Sequence, residues 1–412
     1  MKFVTMSMCM VFALAFSACH KSDVYDSNSA GKVSELVVPE GFDWNMSEDV
    51  ALAISSPVET SVSVFNDEAC KELLATLPVS QKESTFTLNV KSGTKNLYVQ
   101  YPLENGSQSV ITAPVSLARV ADGMASVKLP EGTGTITGDD YYGYLMNYPA
   151  AEWGTLFFED LWPSKGDYDF NDMAASYKIQ LYLTGRGSKK VEAIMVSVRL
   201  NALGGSLPYK LCLQIDNLHK NEISEVENYI TGQETGDETG TYKYQSGTTG
   251  DKALFSFDWN VKKGGATGAY YNTEKEHSLT KGDIDKNVVA FMIYLEEAMD
   301  LDKLPNSAFN FFIRNTDNTE IHLLGYEPTA NFKTGYDQVV ENNASSLSFT
   351  EYYRTSDGFV WGLKIPDDVY HVAEKVDFLK AYPNFREWVT SGGEKNQDWY
   401  KTRNSEYCIE LK

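Results

Sequence analysis

The chain has 412 residues and a formal net charge of −21, from 57 acidic and 36 basic side chains. A surface this acidic excludes nucleic-acid binding, which sets clustered Lys and Arg against phosphates; it suits solubility and divalent cations. Five Cys, none in C-x-x-C spacing, give no zinc signature and predict no disulfide framework.

Met1-Lys2, an apolar run from Phe3 to Phe16, and small Ser17-Ala18 before Cys19 make a secretory signal over residues 1–18. The run is too short to span a bilayer comfortably. Cys directly after Ser-Ala resembles the lipobox of bacterial lipoproteins, with Phe16 where Leu is usual, and so implies lipid attachment at Cys19. The alternative is an ordinary cleaved signal with an incidental Cys. Each acyl chain adds ~0.8 kcal/mol per buried CH₂, so a multiply acylated Cys19 holds the chain on a membrane. Residues 19–32 are mostly polar and small and read as a flexible tether.

Residues 33–135 read as a small Ig-like β-sandwich. Val50-Leu52-Ile54, Val62-Val64, Phe86-Leu88-Val90, Leu97-Val99-Tyr101 and Val115-Leu117 alternate apolar with polar, and turns recur at Ser92-Gly93 and Asn105-Gly106. Asp67 as a cap, followed by Cys70, Leu73 and Leu74, predicts one short helix among them. Trp44 reads as a core residue rather than an exposed sugar-stacking ring. Gly132, Gly134 and Gly138 mark a boundary, and residues 136–412 read as a larger β-sandwich. The chain is therefore expected to be all-β, as tandem β-sandwich domains with one short terminal helix.

The most informative stretch opens that second part: Phe157-Phe158-Glu159-Asp160-Leu161-Trp162-Pro163-Ser164-Lys165-Gly166-Asp167-Tyr168-Asp169-Phe170-Asn171-Asp172. Asp167, Asp169 and Asn171 alternate with Tyr168 and Phe170, which puts oxygen ligands on one side and aromatic anchors on the other. Calcium takes six to eight oxygens, and Asp160 and Asp172 could close the shell. It is not an EF-hand, because Asp172 stands where that loop needs Gly and Lys178 where it needs Glu. The competing reading is turn chemistry, since Asp and Asn also bond their own backbone.

Further on, Ile194-Val196-Val198-Leu200, Leu211-Leu213-Ile215 and Phe309-Phe311-Ile313 read as strands, and Val288 to Leu295 as a central strand covered on both faces. Residues 231–249 lack periodicity and read as a long loop or edge hairpin. His322 lies on a β-pattern and reads as structural; none of the five His sits in HExxH. Pro383 through Trp388, stopped by Gly392-Gly393, predicts the terminal helix.

Three motifs in order, namely Phe158–Asp172, Glu320–Thr329, and the tail from Trp361 through Pro383 and Trp388 to Tyr400, resemble the LruC-domain family of bacterial envelope proteins. The likeness covers about residues 136–412. It implies an all-β domain on lipoproteins of Bacteroidetes-like bacteria, with no established chemistry, and its acidic motif is similar to calcium loops of other secreted domains. Met173-Ala174-Ala175-Ser176 departs from the larger apolar residues usual there, which puts the following strand in doubt.

The leading expectation is a non-enzymatic envelope lipoprotein in the outer membrane, stabilised by Ca²⁺ and used for adhesion or partner binding. One rival is glycan capture by exposed rings among 7 Trp and 25 Tyr. Another is a glycoside hydrolase using paired carboxylates such as Glu159 and Asp172.

Overall fold

The structure is a computed structural model that describes residues 32–115, 124–135, 143–185, 189–205, 207–229, 240–244, 252–261, 270–343 and 349–412. The signal segment, Cys19, nearly all of the tether, Leu117 and Gly138 lie outside the described residues.

Period-2 alternation sets the N-terminal strands. They are β1 (Ser47–Ser55), β2 (Thr60–Phe65), β3 (Leu73–Val79), β4 (Ser84–Lys91), β5 (Asn96–Pro102), β6 (Gln108–Pro114) and β7 (Ala125–Lys128). A three-stranded sheet β4-β1-β7 packs against β3-β2-β5-β6, with Val50, Leu52, Val64, Leu77 and Leu88 in their shared core. The helix expected from Asp67 does not form. Asp67 instead closes a turn by accepting from Lys71 N (3.0 Å) and Glu72 N (2.6 Å), Cys70 takes a left-handed φ of 52°, and Leu73 opens β3. Strand wins here because β3 gains a ladder on each side, to β2 and to the following strand β8 (Leu145–Tyr148).

The remaining strands are β9 (Gly154–Phe158), β10 (Met173–Leu183), β11 (Lys190–Ala202), β12 (Lys210–His219), β13 (Ile223–Asn228), β14 (Gly240–Tyr244), β15 (Lys252–Trp259), β16 (Val288–Asp300), β17 (Phe309–Arg314), β18 (Glu320–His322), β19 (Phe349–Glu351), β20 (Arg354–Thr355) and β21 (Gly362–Ile365). Eleven strands form one sheet in the order β13-β16-β11-β10-β8-β3-β2-β5-β6, with β9 between β10 and β21. The step from β3 to β8, Ala75 opposite Met146 and Thr76 opposite Leu145, carries this sheet from the 33–135 segment into the 136–412 segment. The small residues Ala174 and Ala175 do form strand; both are fully buried in β10 between β9 and β11.

A five-stranded sheet, β14-β15-β12-β17-β18, closes the C-terminal sandwich. Phe291 of β16 lies 4.3 Å from Tyr242 and 4.8 Å from Phe255, ring centroid to ring centroid. Burying such a ring is worth roughly 1.5–3 kcal/mol. Of the stretch expected to be a loop or edge hairpin, only β14 is described, and it is the edge strand of this sheet.

The described helices are short: α1 (Lys281–Asp285), α2 (Lys333–Asn343), α3 (Phe378–Ala381) and α4 (Asn384–Thr390). The terminal helix stops where Gly392 and Gly393 turn left-handed at φ 67° and 85°. α2 has no counterpart in the sequence reading. No described helix is long and apolar enough to cross a membrane.

A second core, rich in aromatics, joins residues 33–46 to residues 359–408. Phe42 and Trp44 pack on Phe385 and Trp388, and Trp399 sits among Phe378, Tyr382 and Phe385. Trp44 is buried as expected, and its Nε1 donates to Gly358 O at 2.9 Å.

Candidate metal centre

β9 and β10 pair from Gly154/Tyr177 to Phe158/Met173, so residues 159–172 are the connection of a hairpin. Its aromatics behave as the alternation predicts. Tyr168 packs on Phe359 (5.4 Å) and Phe170 on Phe378 (5.3 Å), both inside the aromatic core. Their backbones are left-handed, at φ 55° and 54°, a conformation that costs of order 1–3 kcal/mol for a non-Gly residue.

That conformation turns two N–H groups toward one carboxylate. Phe170 N donates to Glu159 Oε1 at 2.6 Å and Tyr168 N to Glu159 Oε2 at 3.2 Å. Concave backbone donors of this kind hold anions. A Cβ at Gly166 would collide with Glu159 Oε2, so any larger residue there would displace this carboxylate.

Around this fixed carboxylate the loop gathers two of the expected ligands. Carboxylate oxygens of Glu159, Asp167 and Asp169 all lie within 4.8 Å of one another. Asp169 is itself positioned by Asn171 N (3.3 Å) and by Lys375 N (3.0 Å) from the C-terminal segment. Glu159 and Asp169 are buried, and Asp167 is exposed at the mouth.

The other three expected ligands sit beside that cluster. Asp160 N donates to Asp172 Oδ2 at 2.8 Å, and Leu207 N approaches Asp160 Oδ2 at 3.4 Å. These two acids line a separate cavity of about 240 Å³ beneath Tyr209 and Trp259. Asn171 Nδ2 donates to Val372 O at 3.2 Å, while its buried Oδ1 has no hydrogen-bond partner among the described residues. Side chains at Gly204 or Gly205 would strike Asn171 Oδ1 or Asp160 Oδ2.

The acids raise one another's proton affinity. Burial, then the charges of Asp172, Asp169 and Asp167, hold the Glu159 carboxyl well above its usual range despite the Phe170 hydrogen bond. Burial, then Asp167 and Glu374, push Asp169 up to about 8. Burial and then Asp160 push Asp172 up to about 8. Among the described residues no Lys or Arg forms an ion pair with Glu159, Asp167 or Asp169. A divalent cation would supply the missing charge, and this all-oxygen donor set suits calcium or magnesium rather than a thiophilic metal.

Two residues of the site were not in the expected set. Glu159 adjoins Asp160 in the acidic run, but only the fold shows it facing Asp167 and Asp169. Glu374 lies far along the chain with no local signal; burial and then Asp167 raise its proton affinity, and its Oε2 is buried without a partner.

His322 is structural, as expected. It is fully buried, with Nδ1 2.9 Å from Asn310 Oδ1 and Nε2 3.1 Å from Glu320 Oε2, and it stacks on Phe312 at 4.1 Å.

Residues 189–400 match a family described as a domain of unknown function, DUF4842. A crystal structure described as a "Putative lipoprotein from Bacteroides ovatus" is 22% identical, with a TM-score of 0.68 over 86% of this chain and 100% of that one. It shares the fold. The major pilin SpaA of Corynebacterium diphtheriae is 10% identical over 64% of this chain and 62% of that one, with a TM-score of 0.14. No curated protein matches.

Proposed function

The chain belongs to the DUF4842 family, a domain of unknown function, and from that premise we propose a non-enzymatic envelope lipoprotein whose β-fold is stabilised by Ca²⁺. Cys19 carries the lipid, the outer membrane is its place, and adhesion or capture of an extracellular partner is its role. The observation that carries the metal is the convergence of Glu159, Asp167 and Asp169 without a protein cation. Of the other expected ligands, Asn171 keeps a buried Oδ1 without a partner beside this cluster, while Asp160 and Asp172 line a separate cavity. The lipobox, the three LruC-like motifs and the shared fold with the Bacteroides ovatus protein support the envelope reading.

Calcium here is structural. It fixes the β9–β10 connection, whose Asp169 also accepts from Lys375 N of the C-terminal segment, so its binding energy becomes folding energy. Hydrolysis by Glu159 with Asp172 is disfavoured: Glu159 is fully buried, and both its oxygens already accept backbone donors.

The test is a thermal melt of the full chain in EDTA and then in calcium. A ligand at 100 times its dissociation constant adds about 2.7 kcal/mol, which moves the melt by several degrees. Asp167→Ala with Asp169→Ala is expected to abolish the rise; a rise that survives both substitutions refutes the assignment.

A further inference from the structure

A cavity of about 600 Å³ lies away from the acidic loop, and no residue of 159–172 lines it. Its floor is the outward face of β11 and β16. Ile194, Val196, Val198 and Leu200 point into the sandwich core, so strand alternation turns Arg199 and Asn201 outward, beside Val288 and Ala290. α1 forms one wall with Asp285, and residues 368–371 form the other.

Three rings stand around this floor. Tyr229 is 46% exposed and Tyr370 41% exposed. Trp153 is half-buried and lies 5.0 Å from the Arg199 guanidinium. Arg403 lies 4.3 Å from the Tyr370 ring centre. Trp153 and Tyr370 are thus steadied by cations, and Tyr229 keeps its ring exposed at the cleft.

The polar groups between them are held in place. Arg199 donates to Asn201 Oδ1 at 3.1 Å and to Ser176 Oγ at 3.0 Å, and reaches Asp368 at 3.4 Å. Arg199 and Asp368 neutralise each other, and Glu152 and Asp285 against Lys281 leave the lining slightly acidic. A phosphate or sulfate ligand is therefore repelled. Fixed donors beside fixed acceptors suit a hydroxyl, which gives and takes at once. Flat rings beside such groups suit the C–H face of a sugar, and the volume falls in the range of ligand clefts.

We propose that this cleft binds a neutral oligosaccharide, stacked on Trp153, Tyr229 and Tyr370 and hydrogen-bonded by Arg199, Asp368 and Asp285. The inference gives the partner-binding reading its ligand class and rests on that reading for an extracellular setting, but not on the metal.

The test is calorimetric titration of the full chain with maltohexaose, cellohexaose, xylohexaose, mannohexaose and laminarihexaose, each in calcium and in EDTA. Binding of at least one sugar is expected, weakened about tenfold by Tyr229→Ala and by Trp153→Ala, the scale of one lost aromatic contact. Tyr229 is exposed enough that its removal should leave the melting temperature unchanged. Silence across the panel overturns the proposal, as does sugar binding that Tyr229→Ala and Trp153→Ala leave intact, or a preference for a pentalysine peptide over every sugar. A calcium-induced rise in melting temperature with no sugar binding removes the cleft alone; sugar binding with no such rise removes the metal alone.

Discussion

Two carboxylates of this chain, Glu159 and Glu320, are fully buried, and their surroundings are opposite. Glu320 has its counter-charge within the chain. Arg314 sits at 2.7 Å, the Thr329 hydroxyl at 2.7 Å and Thr329 N at 2.8 Å, with His322 at 3.1 Å. Burial alone would raise its proton affinity, but the His322 hydrogen bond and charge, Arg314 and Thr329 outweigh that and hold it below the usual range. Glu159 has two backbone donors and is otherwise ringed by acids, so its carboxyl is held well above that range. One cluster is electrostatically complete as folded; the other needs bound protons or a cation to offset its charge.

The strongest way to sharpen this contrast is Arg314→Met. Breaking a buried pair from one side costs about 3–5 kcal/mol, and denaturant unfolding should show that loss equally with and without calcium. A loss that calcium restores would mean the two clusters are coupled.

Next in size is Asp169→Asn, whose effect should change sign with the metal. In EDTA at pH 8 it removes a buried, unpaired carboxylate and is expected to stabilise by about 1 kcal/mol or more, the scale of one pKa unit. In calcium it removes a ligand and is expected to destabilise relative to the natural chain. Paired melts check both, and destabilisation in EDTA would show that Asp169 is already balanced without an ion.

The most gradual effect is on pH. The carboxyls of Asp169 and Asp172 rise from the ordinary 3.8 to about 8 in the ion-free fold, so between those values the folded chain binds more protons than the unfolded one. Stability in EDTA should therefore fall as pH rises from 4 to 8, the reverse of a salt-bridged acid. Calcium needs the deprotonated carboxylates, so its apparent affinity should weaken as pH drops below 8. Melts across pH 5 to 8 with and without calcium test both slopes. A flat profile in EDTA would place water or another cation against these acids.

Much of this was legible locally. The alternation at Val50-Leu52-Ile54 and Ile194–Leu200 gave strands because period 2 leaves one face apolar whatever the partner. Tyr168 and Phe170 were readable as anchors, and Asp167 and Asp169 as a facing pair, because their spacing forces them apart. Leu73 and Leu74 misled, since a short apolar group fits helix and strand alike and only the ladders to β2 and β8 decide between them. The left-handed backbone at Tyr168 and Phe170 left no mark either, because aromatic residues rarely adopt it; the Glu159 carboxylate and the surrounding core hold it there.

By itself, then, the sequence determined the class of the fold, the acidic loop and its aromatic anchors, since each follows from neighbours a few residues apart. The tertiary structure decided which acids meet. It brought Glu159 under Asp167 and Asp169, split Asp160 and Asp172 away to a second cavity, and delivered Lys375 and Glu374 from the far end of the chain. The reason is that a side chain's charge environment is set by distance in space, and at these positions spatial neighbours can be 206 residues apart, as the bond from Lys375 to Asp169 records.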